Sequence, residues 1–280
     1  MKDLVSIVLP VYNGATFLRD SIESVIAQTY KNWELLILDD CSTDETPEIS
    51  REYEAKDSRI HYHRNEKNLK LPGNLNKGFS MAKGEYLTWT SDDNRYRPHA
   101  LETMLTTIKE KEVGLVFADY QVIDENDQEI KVVSVQNGRK GRVLSYNIVG
   151  ACFLYTREVY ETVGDYDTEL FLVEDWDYWQ RVMMKFSSYA IAQILYDYRQ
   201  HSASLTSTKN NVRFGEVSEK VLLKNRQGFG KLSLQDKRGY YYALNEARRN
   251  QGRKSPYAFK SWYLGWLCRM ICLLRRIIKN

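Results

Sequence analysis

The sequence is poor in the features that place a chain in a simple class. Five prolines and 15 glycines in 280 residues exclude collagen and low-complexity disorder. The four cysteines (Cys41, Cys152, Cys268, Cys272) show neither a CxxC spacing nor a metal-finger pattern, and read as unpaired thiols of a reducing compartment. No apolar run is long enough to span a bilayer. Leu4–Leu9 stops at Pro10 with no small-residue cleavage site after it, so it reads as a buried strand and no secretion is expected. A single glycine, Gly14, follows that strand, which removes the dinucleotide-binding fingerprint. Gly228-Phe229-Gly230-Lys231 lacks the spacing and the Ser/Thr of a phosphate loop, and no HExxH occurs. Hydride transfer and ATP hydrolysis lose ground on these absences.

What the chain does have is charge of two kinds, kept apart. At 43% hydrophobic and 28% charged it is an ordinary globular composition, sufficient for one large domain or two small ones. All 37 acids lie within residues 1–246, beside 31 of the 40 Lys and Arg. Residues 247–280 carry nine basic residues and no acid. The net +3 therefore hides an acidic body, which should carry the chemistry, and a basic tail, which should meet an anionic surface.

Periodicity predicts strands at 4–9, 34–39, 60–63, 85–89 and 115–118, alternating with helices at 15–28, 44–55, 73–82 and 98–111. Thr43 or Ser42 is placed to cap the second helix, with Pro47 tolerable in its first turn. Strands alternating with helices of this length mean a mostly parallel sheet covered on both faces, with ligands beyond the carboxyl ends of the strands. Two acidic clusters, Asp39-Asp40 and Asp92-Asp93, fall at such ends. Antiparallel strands are expected at 119–133 and 142–156, a helix at 174–185, a returning strand at 190–199 and a polar loop at 202–211. Helices near 212–226, 233–250 and 255–279 close the chain.

Adjacent carboxylates in Ser91-Asp92-Asp93-Asn94 repel unless a cation or donor groups compensate. Mg²⁺ or Mn²⁺ would do so, bridging one or two carboxylates to substrate phosphates. A solvated Asp-Asn turn capping the next helix is the plainer reading of these four residues taken alone. They have company, in order along the chain: Val5 to Asn13, Leu38-Asp39-Asp40-Cys41-Ser42-Thr43-Asp44, Gly84-Glu85-Tyr86, and Glu174-Asp175-Trp176-Asp177. Over about residues 4–205 this set closely resembles glycosyltransferase family 2, inverting enzymes with the GT-A nucleotide-sugar fold, a Rossmann-like α/β sheet with helices on both faces.

The resemblance implies roles position by position. Pro10 and Tyr12 match the first-strand segment that lies against the nucleotide base. Asp40 matches the aspartate that hydrogen-bonds the base, usually uracil, whose imide N–H a carboxylate can accept. Asp92 and Asp93 match the DxD-type site, the first near the ribose and the second on the metal, with Asp-Asp-Asn here in place of Asp-x-Asp. Asp175 matches the catalytic base that takes the acceptor proton, while Glu174-Asp175-Trp176-Asp177 also suits the dipole of a helix N-terminus. Trp176 and Trp179 fit either a sugar face or core packing. Tyr198-Arg199-Gln200-His201 resembles the closing element before a mobile loop, making His201 a metal or diphosphate ligand and Arg199 and Ser204 phosphate contacts. Gly150-Ala151-Cys152 resembles the acceptor-side strand, with Glu174 and Trp176 on the same side. Residues 64–77 resemble a donor loop, with Leu75 where many relatives carry Arg. The QxxRW element of processive synthases is missing, which favours addition of a single sugar.

On a helical wheel, residues 257–279 split into one broad apolar face, with Trp262, Trp266 and Met270, and one small and basic face. The longest charge-free stretch, Ser261–Cys268, is far below a spanning length. A basic amphipathic helix with tryptophans suits the plane of an anionic membrane, through residues 255–280. The alternative is docking on its own catalytic domain or, as a homodimer, on a second copy. Nucleic acid is not an expected partner, because no reader motif accompanies the charge.

The sequence thus predicts a GT-A catalytic domain at 1–211, with a nucleotide-sugar half at 1–118 and an acceptor half at 119–211, and a C-terminal helical extension at 212–280. The expected activity is Mn²⁺- or Mg²⁺-dependent inverting transfer of one sugar from a nucleoside diphosphate sugar, UDP-linked, to a glycan or lipid-linked acceptor, as in surface polysaccharide assembly. The expected location is cytoplasmic, peripheral on the inner face of the cell membrane. Two competing readings are a sugar nucleotidyltransferase, which should carry a Gly-rich phosphate loop where Tyr12-Asn13-Gly14 stands, and a non-catalytic sugar-nucleotide or glycan-binding protein.

Overall fold

A computed structural model describes residues 2–135, 140–202, 204 and 212–277. These fall into two compact units. The first comprises Met1–Asn137, Val149–Phe171 and Lys185–Ser202; the second comprises Gly138–Ile148, Leu172–Met184 and Ala203–Asn280.

The first unit is a nine-stranded sheet with helices packed on it. Its chain order begins β1 (Val5–Val11), α1 (Ala15–Ile26), β2 (Trp33–Asp39), α2 (Thr46–Lys56), β3 (Ile60–Arg64), α3 (Lys70–Met81), β4 (Tyr86–Trp89), β5 (Arg95–Tyr96) and α4 (Ala100–Glu110). It continues with β6 (Leu115–Ile123), β7 (Glu129–Val133), β8 (Phe153–Thr156), α5 (Arg157–Val163) and β9 (Ser188–Arg199). The strand order is β3-β2-β1-β4-β8-β6-β9-β5, with β7 on β6. The β3-β2-β1-β4 half is wholly parallel. Beyond it, β6 and β9 are parallel, while β8, β7 and β5 run against their neighbours.

Every residue of β1 and β2 is buried, as strands covered on both faces require. Along β1 the side chains alternate as the pleat demands. Val5, Ile7, Leu9 and Val11 join Leu18, Ile22 and Val25 of α1 and Leu101, Met104 and Leu105 of α4 in one apolar cluster. Val8 faces the other way, onto α3, where a Cβ on Gly78 would come within 2.5 Å of its Cγ1. Helix and strand touch there because residue 78 has no side chain.

Three local expectations change. The cap position of α2 is Glu45, with no side-chain cap bond, rather than Thr43 or Ser42; Asp44 before it accepts the Thr46 N–H at 3.1 Å and reaches across to the Ala15 N–H at 3.0 Å. Ser42 Oγ instead accepts the Asn13 N–H at 2.9 Å. The strand expected at 142–156 is confined to 153–156, because Lys140–Leu144 is a 3-10 turn and Gly150 takes φ +72°, a backbone value no strand allows. The strand expected to stop at Ala118 runs on to Ile123, its register with β9 shifting at Asp119. Most of the loop expected at 202–211 lies outside the described residues.

The second unit carries α6 (Glu174–Lys185, its last residue in the first unit), α7 (Val212–Asn225), α8 (Leu234–Asn250) and α9 (Ala258–Ile277). Its polar joints are specific. Asp177 of α6 is buried and accepts Asn225 Nδ2 at 2.9 Å, with Lys224 Nζ at 3.1 Å, tying α6 to α7. Glu219 of α7 takes Arg248 Nε at 2.6 Å and Gln251 Nε2 at 3.0 Å, tying α7 to the end of α8. Gly215 lets those helices cross, since a Cβ there would meet the Ala247 carbonyl at 2.6 Å. No described helix is long and apolar enough to cross a membrane.

Candidate active site

The parallel half places its crevice at the carboxyl end of β1, with β2 on one side and β4 on the other, the point where open α/β sheets receive ligands. The strands separate there. β1 pairs with β4 only as far as Val8↔Trp89, but with β2 as far as Val11↔Asp39. The Leu4 and Val8 carbonyls accept from Tyr86 and Thr90, so the even residues of β1 bond towards β4. Pro10, which has no N–H, comes next on that side, just past the last paired residue. Tyr12 follows at the tip, 54% exposed.

The loops after β1 and β2 are bound to each other. Asn13 Oδ1 accepts the Thr43 N–H at 2.8 Å, and the Gly14 N–H donates to Thr46 Oγ1 at 3.1 Å. Burial pushes the Asp44 carboxyl up, but hydrogen bonds from Thr46 and Ala15 win and hold it below the usual range. The two acids at the end of β2 divide the work. Asp39 is fully buried and accepts the Ser42 N–H at 2.8 Å and the Tyr62 hydroxyl at 2.7 Å, which makes it part of the frame. Asp40 accepts Asn65 Nδ2 and the Leu69 N–H, both at 2.8 Å and both on Oδ1. Asn65 in turn bonds Asn74 and Lys77, so the 64–77 segment reaches the site through amides, while Leu75 is fully buried.

Asp92 and Asp93 follow β4. The Asp92 carboxylate lies where a Cβ on Gly14 would be, at the N-terminus of α1. Burial and then the charge of Asp93 push Asp92 up to about 8. Burial raises Asp93 too, opposed by a hydrogen bond from His201. Asp93 Oδ2 and His201 Nε2 are 3.1 Å apart, and Oδ1 is buried with no hydrogen-bond partner among the described residues. An oxygen and an imidazole nitrogen, with a second oxygen unengaged, suit Mg²⁺ or Mn²⁺, whose remaining positions go to water and substrate phosphates. Among the described residues no group of three or more His, Cys, Asp or Glu gathers, so these side chains alone build no closed metal cage.

Arg199 is buried beneath this pair. Its Nε donates to the Asp93 carbonyl at 3.0 Å, its Nη1 to Asp127 Oδ1 at 2.6 Å, and its N–H to Asn94 Oδ1 at 2.8 Å. Its guanidinium also stands 4.5 Å from the Phe17 ring centroid, and the His201 ring lies 5.3 Å from the same ring, tilted by 49°. These bonds hold the Asp93 loop rather than present the guanidinium to solvent. Gly150 lies elsewhere in the first unit, under Tyr120, where a Cβ would meet the ring at 2.6 Å.

Asp175 stands in the second unit, in the first turn of α6, partly exposed. Asn147 Nδ2 donates to its Oδ2 at 2.6 Å, and the Trp176 N–H to its Oδ1 at 2.6 Å. Glu174 is buried and accepts the Leu172 N–H at 2.7 Å; burial and then the Asp175 charge push it up to about 8. Leu172 itself has φ +90°, a strained value for a residue with a side chain, immediately ahead of the acidic pair. Trp176 donates its ring N–H to the Val143 carbonyl at 2.6 Å and is buried, and Trp179 is fully buried, so both rings are wall. Ser204 is buried in the same unit.

Sequence reasoning missed Asn13, Gly14, Asp44, Asn65 and Asn147. The first four sit in or beside the segments that carried the resemblance. Asn147 has no motif to mark it.

The sequence profile described as Glycosyl transferase family 2 matches residues 6–164, more than half of the chain. The chain belongs to that family. An uncharacterized glycosyltransferase of Rickettsia typhi is 33% identical over 219 residues, covering 74% of this chain and 67% of its own. The putative teichuronic acid biosynthesis glycosyltransferase TuaG of Bacillus subtilis is 28% identical over 211 residues, covering 74% of this chain and 83% of its own. In fold, this family 2 glycosyltransferase resembles the GT-A structures of S. aureus TarS 1–349 in complex with UDP-GlcNAc and of the mannosyltransferase PcManGT from Pyrobaculum calidifontis in complex with GDP-Man and Mn²⁺. The first has TM-score 0.65 and 17% identity, covering 88% of this chain and 81% of that one. The second has TM-score 0.66 and 16% identity, covering 96% and 79%.

Proposed function

We propose that this glycosyltransferase performs metal-dependent inverting transfer of one sugar from a UDP-sugar to a hydroxyl of a glycan or lipid-linked acceptor, in surface polysaccharide assembly. The observation that carries the reading is Asp93, with one carboxylate oxygen on His201 and the other buried and, among the described residues, unengaged at the mouth of the parallel sheet. The TuaG name, which speaks of teichuronic acid, and the TarS structure holding UDP-GlcNAc support the acceptor and donor classes.

In this reading Tyr12 and Pro10 lie along the base and Asp40 accepts its imide N–H. Asp92 meets the ribose, and Ser204 contacts the diphosphate. Arg199 positions the Asp93 loop. Mn²⁺ or Mg²⁺ held by Asp93 and His201 would steady the negative charge of the departing diphosphate. Asp175, oriented by Asn147, takes the proton of the acceptor hydroxyl as its oxygen bonds the anomeric carbon and the bond to the diphosphate breaks. Direct displacement of this kind inverts the anomeric centre. Gly150, Glu174 and Trp176 shape the acceptor side. Residues 1–211 form the catalytic domain, 1–118 for the nucleotide sugar and 119–211 for the acceptor. Residues 212–280 form an extension whose last helix lies on the anionic inner face of the cytoplasmic membrane.

The test is incubation of the full chain with Mn²⁺ and a panel of sugar nucleotides, following nucleotide release and the anomeric configuration of the product. A retained configuration, or nucleotide binding with no turnover on any acceptor, would overturn the reading.

A further inference from the structure

Helix α9 packs with the side opposite to the one its composition suggests. Gly265 is buried against α8, where a Cβ would lie 3.0 Å from Arg238 Nε, and the Tyr257 ring just ahead of α9 stacks on Tyr241 of α8 at 5.9 Å. The small-residue face is thus the inner one. Phe259, Trp262, Tyr263, Trp266 and Met270, at spacings of three and four, are left 70%, 63%, 44%, 48% and 39% exposed. Their rings form a continuous strip, Phe259 to Tyr263 at 6.3 Å and Tyr263 to Trp266 at 6.2 Å. Isolated exposed apolar residues are ordinary, but a contiguous aromatic strip marks a contact surface.

A cavity of about 370 Å³ opens beside that strip, between α8, α9 and the 3-10 turn Arg226–Phe229. It is lined by Arg226, Lys237 and Lys260 together with Tyr240, Tyr241 and Tyr263. Arg226 stands over the Tyr240 ring at 5.7 Å and Lys260 over Tyr241 at 5.4 Å. Among the described residues no acid lines it and none of the three cations is in an ion pair. Three cations, two of them over aromatic faces, form a receptor for a phosphoryl anion. Tyr263 belongs to both strip and cavity, so a group held in the cavity would have its apolar part beside the strip.

We propose that this cavity binds the phosphorylated headgroup of an anionic lipid, with the α9 aromatics seated in the bilayer interface. The occupant is argued from charge: residues 247–280 carry nine basic residues and no acid, and the cavity walls repeat that sign. Tyrosine and tryptophan are the side chains that favour the interfacial layer. The inference rests on the membrane placement proposed above and adds a specific headgroup site to it.

The test is flotation of the full chain with vesicles of phosphatidylcholine alone, with added phosphatidylglycerol, or with added phosphatidic acid. The expected result is recovery with both anionic vesicles, tighter with phosphatidic acid, whose terminal phosphate carries more charge. Lys237→Ala/Lys260→Ala should weaken that binding about tenfold or more. Arg249→Ala/Lys254→Ala, which removes the same charge from positions outside the cavity, should weaken it much less. Equal losses in the two pairs would overturn the cavity while leaving a membrane-bound tail. Wild-type protein that ignores anionic vesicles, or that forms a dimer covering the strip, would overturn both. Inorganic phosphate bound as tightly as phosphatidic acid vesicles would make this a free-anion site. Turnover on a soluble acceptor is expected to be unchanged in either variant, which separates failure here from failure of the catalytic assignment.

Discussion

The Asp92 carboxylate occupies the space that any side chain on Gly14 would need. The residue after the first strand and the acid after the fourth strand are therefore one spatial unit, although 78 positions separate them. Gly14 also caps the start of α1, so its missing Cβ sets the Asp92 carboxyl against a helix N-terminus, where burial and the Asp93 charge still push it up to about 8.

Gly14→Ala should displace Asp92 with little effect on the fold. A shift of about 1 Å at a reacting centre can cost on the order of a hundredfold. The expected outcome is a loss of kcat/KM of tenfold or more with a nearly unchanged melting temperature. Wild-type kinetics in this variant would show that the position of Asp92 is not used.

Asp175→Asn removes the proposed proton acceptor and keeps the shape that Asn147 grips. Loss of a general base costs about 10²–10⁴ in rate. The expected outcome is that fall in kcat, with UDP binding unchanged by calorimetry. Asn147→Ala should give a smaller fall in kcat, because the carboxylate remains but loses its orienting donor.

Glu174 carries a pH dependence whose sign is defined. Its carboxyl is raised from 4.5 to about 8, so between those values the native chain holds a proton that the unfolded chain has released. The stability that Glu174 contributes is fully present below about pH 4.5 and is lost as pH rises through this window. Glu174→Gln mimics the neutral acid and can still accept the Leu172 N–H. Urea unfolding should show its advantage growing by about 1.4 kcal/mol per pH unit across the window. A constant difference between variant and wild type would mean that Glu174 is ionised in the folded chain.

Arg199→Lys keeps the charge but cannot reach Asp93, Asp127 and the Asp124 carbonyl together. Unfolding should show a loss of about 1–3 kcal/mol, as for a buried group left without its partners. Mn²⁺-dependent UDP binding should weaken with it. Normal binding in a destabilised variant would separate Arg199 from the Asp93 loop.

Chelation should abolish turnover, and Mn²⁺ should restore it. His201→Ala is expected to raise the Mn²⁺ concentration needed for half-maximal rate, and Asp93→Asn to remove the response. A metal-independent rate in wild type would refute the role assigned to Asp93.

Most of the parallel half was legible from the chain. The apolar runs at 4–9 and 34–39 are continuous because both faces of those strands are buried, and Asp39-Asp40 and Asp92-Asp93 stand at strand ends because there the backbone leaves the core. The second half was less legible. Gly150 in a left-handed conformation and the 3-10 turn at 140–144 break a segment whose composition still reads as strand. The short helix Arg157–Val163 depends on Thr156 capping the Val159 N–H, a single bond with no periodic signal.

By itself the sequence determined the alternation of strands and helices, the order of the acidic segments and the gathering of positive charge in the last 34 residues, since each follows from local residue pattern. Only the tertiary structure decided how each acid is held. Asp39 and Asp40 are adjacent, yet Asp39 is engaged by Ser42 and Tyr62, while Asp40 takes Asn65 and Leu69 on one oxygen. Asp93 gains His201 across 108 positions, and Arg199 turns inward to hold it. The outward face of α9 was decided in the same way. Gly265 admits the closer packing on α8, and so the aromatic face is the one left to meet whatever lies outside.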